Sequence, residues 1–177
     1  MMKSGEEHIK NYFLNDTGSF EEIVLKYRQN SINFARRYVK DREICEDIAQ
    51  EAFATVFVYR DKYNPDMSFK TWLFSIIHNK CVDYIRKNRE LQSFSIGDEA
   101  AAEGLFESLD TKIVLEQEIG RLKPNYRAII QMIEYEGMTI REAAKVLGIS
   151  EVHARVLNFR ARKKLQAQLV KGGFEYE

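Results

Sequence analysis

The chain has few of the residues that break or staple a fold. Two prolines and nine glycines in 177 residues leave little punctuation, which argues against many short strands and for long helices. The two cysteines, Cys45 and Cys81, stand far apart and outside any CxxC pair, and His8, His78 and His153 are scattered. Neither a disulfide framework nor a metal site has the spacing it needs. No apolar run approaches the roughly 20 residues that span a bilayer, and the first ten residues lack the apolar centre of a signal peptide. A soluble, cytoplasmic chain with no membrane insertion is expected. The formal net charge is zero and the pI about 6.9, so a nucleic-acid partner must be argued from how charge is distributed. A Gly-rich phosphate loop is missing, as is any Ser/His/Asp or Cys/His spacing. Glu134 and Glu136 sit at alternate positions of a helix and do not face each other. No enzyme and no cofactor is expected.

What the chain does have is 45% hydrophobic and 31% charged residues, enough to bury real cores. Apolar positions at steps of three, four and seven run from Phe20 through Ile23, Val24, Tyr27, Phe34 and Ala35 to Tyr38 and predict a first helix. Arg36, Arg37 and Lys40 gather at its end, where cations suit the helix dipole. Asp41 caps a second helix whose apolar face is Ile44, Ile48, Ala49, Ala52, Phe53, Val56 and Phe57, with Glu43, Glu46, Asp47, Gln50 and Glu51 on the other face. A loop follows, marked by Asn64-Pro65-Asp66. Ser68 then caps a helix carrying Trp72, Leu73, Ile76, Ile77, Val82, Tyr84 and Ile85. From Arg60 to Glu90 there are seven Lys/Arg against four Asp/Glu. Phe69 and Trp72 beside Lys70 and Tyr63 place aromatics in a basic stretch, the chemistry that holds single-stranded nucleic acid by stacking and phosphate neutralisation. Trp72 is expected to be mostly buried, and Phe69 and the loop freer.

Between Gly97 and Glu118 seven acids face Lys112 alone, and residues 93–112 read as a flexible acidic linker. Beyond it, Asn125 is placed as the cap of a helix lined by Tyr126, Ile129, Ile130 and Ile133, with Gly137 past its end. Thr139 and Glu142 form a capping box. The short helix they open has Ala143-Ala144 at its centre and stops at Gly148, and Ser150 caps a last long helix. From Val152 to Lys171 that helix holds six Lys/Arg and no acid. A short helix, a three-residue turn and a basic longer helix are the pattern of a helix-turn-helix that reads the major groove. The fold class expected is therefore all-α: two small helical domains, 1–92 and 113–177, joined by the linker 93–112, with the helix-turn-helix in the second.

Three stretches then carry a resemblance. The run Glu46-Asp47-Ile48-Ala49-Gln50-Glu51-Ala52-Phe53, the segment Phe69-Lys70-Thr71-Trp72-Leu73, and the stretch from Asn79 to Lys87 resemble the core-binding and −10-element parts of a bacterial sigma factor. Residues from Leu122 to Leu165 resemble its −35-element domain. The short length is similar to that of the extracytoplasmic-function group of the sigma-70 family. The resemblance implies a non-catalytic subunit that takes RNA polymerase core to promoter DNA. Asp47, Gln50, Glu51 and Phe53 would dock on the β′ coiled coil of the core, whose β flap is a further contact. Tyr63, Asn64, Asp66, Ser68, Phe69, Lys70, Trp72 and Asn79 would hold the melted −10 element. Thr139, Ser150, His153, Arg155, Arg160, Arg162 and Lys163 would meet the −35 element. An anti-sigma factor is a usual partner of the group. The last helix departs from the family pattern at Leu157, where a basic residue is usual, and at Asn158, where an apolar one is. The competing expectation is a helix-turn-helix regulator that acts as a free dimer.

Overall fold

In the computed structural model of the chain, the described residues are 18–92 and 111–172. Among them are seven α-helices and no strand: α1 (Gly18–Ala35), α2 (Arg42–Val58), α3 (Phe69–Gln92), α4 (Thr111–Gly120), α5 (Pro124–Ile130), α6 (Ile140–Leu147) and α7 (Glu151–Lys171). A 3-10 turn, Arg60–Lys62, follows α2, and a π turn, Gln131–Tyr135, follows α5. The class is all-α, as the periodicity predicts. The acidic stretch 93–110 and the polar start of the chain before Gly18 lie outside the described residues.

Helix starts follow the caps written in the sequence. Asp41 Oδ1 accepts from the Glu43 and Ile44 N–H groups at 2.9 and 3.3 Å. Ser68 Oγ accepts from Thr71 N at 3.2 Å, and Ser150 Oγ from His153 N at 3.2 Å. Thr139 and Glu142 bond each other's backbone N–H at 2.9 and 3.2 Å. Each cap satisfies donors that the helix leaves orphaned and contributes about 1 kcal/mol. Asn125 is not a cap: α5 opens with Pro124 at its first position, after Lys123, which makes no side-chain capping bond. The proline's missing N–H and fixed φ suit that position, and Asn125 falls inside the first turn. The first helix also stops earlier than its apolar pattern suggests. After Ala35 the chain tightens, with Arg37 N bonding Phe34 O at 3.0 Å and Tyr38 N bonding Ala35 O at 2.9 Å.

Helices α1, α2 and α3 pack on one another around Phe34, Phe53, Val56, Leu73, Phe74 and Ile77, all buried. The Phe34 and Phe74 rings stack at 4.6 Å. Tyr38 Oη and His78 Nδ1 share a hydrogen bond of 2.8 Å in this core. Burial holds the Tyr38 hydroxyl protonated well above its usual range and the His78 ring below its own. In the second half, α6 and α7 meet closely over the buried Ala143, Ala144 and Ala154, and Gly148 makes the turn between them at φ 64°, a conformation that costs a side-chain-bearing residue strain. The buried side chains of both halves form one continuous cluster, in which α6 lies against α3.

Candidate nucleic-acid interface

The acidic face of α2 points outward. Asp47, Gln50 and Glu51 are exposed, while Ile48, Ala49, Ala52 and Phe53 are buried on the opposite side. Glu46 pairs with Arg42 at 2.8 Å and Glu51 with Lys80 of α3 at 3.2 Å. Phe53 is expected among the docking residues, but it faces the core, because it falls in the same helical stripe as Ala49, Ala52 and Val56.

The loop before α3 is braced from within. Tyr63 is buried, its hydroxyl donates to Met67 O at 2.6 Å, and its ring lies 5.1 Å from that of Trp72. Asn64 Oδ1 accepts from Asp66 N at 2.9 Å, an Asx turn that shapes the exposed tip. The expected order of the two aromatics is reversed. Phe69 is only 1% exposed, at 5.2 Å from Tyr27 of α1, whereas Trp72 is half-buried. Phe69 opens α3 on the side facing α1, so its ring anchors the loop and has no face for a base. What the loop presents is Asn64 and Asp66, exposed, with Ser68, Lys70 and Trp72 half-buried behind them. Asn79, two turns on, is also exposed.

The helix-turn-helix carries the strongest interface geometry. Thr139, Ser150, His153, Arg155, Arg160, Arg162 and Lys163 are all exposed. The Arg155 side chain, 71% exposed, reaches only to 4.0 Å from Glu151, and Arg162 lies 3.5 Å from Glu134. Two residues that the sequence did not single out share the outer face of α7's first turns: Val152, 73% exposed, and Val156 one turn later. Their signal was an apolar pair at i and i+4 with no counterpart to pack on. The departures from the family pattern have a physical outcome. Leu157 packs against the core cluster. Asn158 is half-buried, and its Oδ1 is enclosed without a hydrogen-bond partner among the described residues, beside a groove of about 880 Å³ lined also by Leu115, Ile130, Phe159 and Leu169.

Sequence reasoning missed a polar network that joins the two halves. Arg37 donates from Nε to Gln131 Oε1 at 2.8 Å and pairs through Nη1 with Glu116 at 2.9 Å. The Arg127 Nε donates to Arg37 O; burial and the neighbouring Arg37 charge lower the Arg127 pKa. Tyr135 donates to Glu116 at 2.8 Å, and burial, with that bond, pushes its hydroxyl up to about 12. The Glu136 side chain is 5% exposed and accepts from Asn30 at 2.8 Å, from Lys70 at 3.1 Å and from Gln131 at 3.2 Å. Lys70, expected at the −10 element, thus has a carboxylate partner.

Comparison with known proteins identifies the family. The sigma-70 region 2 family matches residues 23–90, and the sigma-70 region 4 family matches residues 112–165. The chain is 28% identical to the ECF RNA polymerase sigma factor SigM of Bacillus subtilis (strain 168), over 87% of this chain and 97% of the relative. It is 26% identical to SigW of the same organism, over 93% and 96%. Its fold resembles that of the sigma factor RpoE solved in complex with the anti-sigma factor NepR from Bartonella quintana, with a TM-score of 0.70, 23% identity, and coverage of 85% of this chain and 96% of that one. It also resembles CnrH solved in complex with the cytosolic domain of CnrY, with a TM-score of 0.65, 25% identity, and coverage of 91% and 94%. With the two family regions in order and together spanning more than half of its length, the chain belongs to the sigma-70 family of RNA polymerase sigma factors, in the extracytoplasmic-function group.

Proposed function

We propose that this sigma factor works as a two-point DNA reader carried by RNA polymerase core, with limits at 1–92 for the core and −10 part, 93–112 for the linker and 113–177 for the −35 part. The exposed Asp47, Gln50 and Glu51 of α2 dock on the core. Asn64, Asp66, Ser68 and Lys70, with Trp72 and Asn79, hold the melted −10 strand. The tip of the loop has exposed amide and carboxylate groups that can match a base edge once the base has left its stack. Helix α7 enters the −35 major groove, with His153 and Arg155 near base edges and Arg160, Arg162 and Lys163 on the backbone. Val152 and Val156 meet thymine methyl groups, the one apolar feature that the major groove presents. The reading is of a non-enzymatic, cytoplasmic initiation factor, and an anti-sigma protein like those seen with its structural relatives is a natural partner.

The observation that carries this reading is the capped helix-turn-helix whose basic second helix keeps its first turns exposed. The test is transcription in vitro with core polymerase, the purified chain and a library of promoter templates. Core plus chain should select a −35/−10 pair, and exchanging thymine for uracil in the −35 element should weaken binding of the wild type more than that of Val152→Ala. Tight, core-independent binding of duplex DNA by a dimer of the chain would instead indicate a free-standing regulator.

A further inference from the structure

We propose that the outer face of α7 is a pairing seam for an acidic amphipathic helix of a protein partner. Val152, Val156, Phe159, Lys163, Gln166 and Val170 follow one another at steps of four, three, four, three and four, the spacing that keeps one line of a helix against a second helix. The four apolar members are 73%, 39%, 66% and 56% exposed, and Lys163 and Gln166 are exposed as well. Ala154, Leu157, Ala161 and Leu165 turn the opposite face of α7 into the core cluster, so packing within the described residues does not require the outer line. DNA accounts for only its first half. The N-terminal residues of a reading helix meet base edges, whereas Val170 lies about 27 Å along the axis from Val152. Phe159 stands at the edge of the groove lined by Leu115 and Ile130, which gives a paired helix a second apolar wall.

Charge selects the occupant. His153 and Arg160 flank the line on one side, Arg155 and Arg162 on the other, and no acid occurs from Val152 to Lys171. A second copy of α7 would set arginines against arginines in either direction, so the seam rejects its own kind. A helix with glutamates beside its apolar line meets a cation at each flank. Lys163 interrupts the line, and a cation there requires a carboxylate facing it, which fixes the partner's register. The partner's rows of carboxylates stand where DNA phosphates would, and both occupants need Val152, Arg155 and Val156. Partner and −35 element therefore exclude each other; this last step rests on the reading that the first turns of α7 enter the −35 groove.

The test uses the full chain and a labelled synthetic peptide as long as α7, with leucines at the seam spacing, glutamates on both flanks and one more glutamate to face Lys163. Its own glutamates keep the peptide from pairing with itself. A control peptide has the same composition with the leucines moved off that spacing. Fluorescence anisotropy should show the seam peptide binding at least about tenfold more tightly than the control, since only it buries the apolar line. Phe159→Ser with Val170→Ser should weaken that binding by at least about tenfold, with helix content unchanged by circular dichroism, because both side chains are exposed. Excess −35 duplex at low salt should displace the peptide. Equal binding of the two peptides, or full binding kept in the double variant, overturns the seam. If the seam peptide binds as expected and the duplex does not displace it, the seam stands and the placement of α7's first turns in the −35 groove fails.

Discussion

Phe69 decides between two roles for the aromatic cluster at the loop before α3, packing or base stacking. Its ring is 1% exposed and lies 5.2 Å from Tyr27 and 6.2 Å from both Tyr63 and Trp72. Phe69→Ala removes a fully enclosed ring, which costs about 3–5 kcal/mol through lost burial and the cavity left behind; each aromatic neighbour accounts for about 0.5–1.5 kcal/mol of such a site. That is a large share of the roughly 5–15 kcal/mol typical of a folded protein. Phe69→Leu keeps most of the volume and should cost less than about 1.5 kcal/mol. Urea unfolding can be followed through Trp72, the only tryptophan, whose ring contacts Tyr63 and Phe69. Binding of a single-stranded −10 oligonucleotide is measured alongside, at a temperature where each variant is folded. Once folded, the leucine variant should retain strand binding within about twofold, whereas loss of a stacked base would weaken binding by roughly 1–3 kcal/mol. An alanine variant with an unchanged urea midpoint and no strand binding would refute the packing role and make Phe69 a stacking platform.

Other outcomes follow from the same geometry. Asp47→Ala with Glu51→Lys should leave the fold intact, because both side chains are exposed, and weaken association with core polymerase by about 2–5 kcal/mol if the pair is enclosed there; undiminished affinity would remove α2's acidic face from the interface. Arg162→Ala with Lys163→Ala should weaken binding across all −35 sequences and flatten its salt dependence by about one unit for each phosphate no longer neutralised; an unchanged slope would place both residues off the DNA. Burial raises the thiols of Cys45 to about 11 and Cys81 to about 12 from an ordinary 9.0, and burial with the Glu116 bond raises the Tyr135 hydroxyl from 10.0 to about 12. The folded chain holds these protons more tightly than the unfolded one, so the stability they contribute is whole below pH 9 and falls as pH rises from about 9 to about 12. Urea midpoints across that range should decline, and a flat profile would mean that the two thiols are not enclosed in solution and that Tyr135 does not keep its bond to Glu116.

Much of the fold is legible because its signals are local. A cap and the N–H groups it serves lie within three residues of each other, so Asp41, Ser68, Thr139 and Ser150 could be read directly, and the apolar stripes of α1, α2 and α3 repeat at the helix period. The outward set Asp47, Gln50 and Glu51 and the basic face of α7 were visible for the same reason. Which of two aromatics turns inward is a different matter. Phe69 and Trp72 stand three residues apart on one helix, and only the approach of Tyr27, forty-two positions away, makes Phe69 the buried one. Arg37 shows the limit most clearly. Near the end of an apolar helix it reads as a dipole-friendly cation, but α1 stops at Ala35 and the side chain reaches Glu116, 79 residues on. No periodicity within α1 encodes that pairing.

The π turn explains why Glu136 escaped notice. In an α-helix of 3.6 residues per turn, positions five apart are about 140° from each other around the axis, and their side chains diverge. Glu136 and Gln131 are five apart, yet Gln131 Nε2 donates to Glu136 Oε1 at 3.2 Å. They meet because the chain widens here: Glu136 N bonds Gln131 O at 3.0 Å, closing an i to i+5 turn. The extra residue also lets Met132 stay fully buried while Gln131 and Glu136 both face the first half. A regular helix through the same residues could keep the core packing of Met132 or the pairing of Gln131 with Glu136, but not both. Such one-residue widenings are rare and recur at functional sites. Here the widening sets the carboxylate that holds Lys70, so the position of the second half relative to the loop before α3 depends on a backbone irregularity that neither composition nor helical spacing announces.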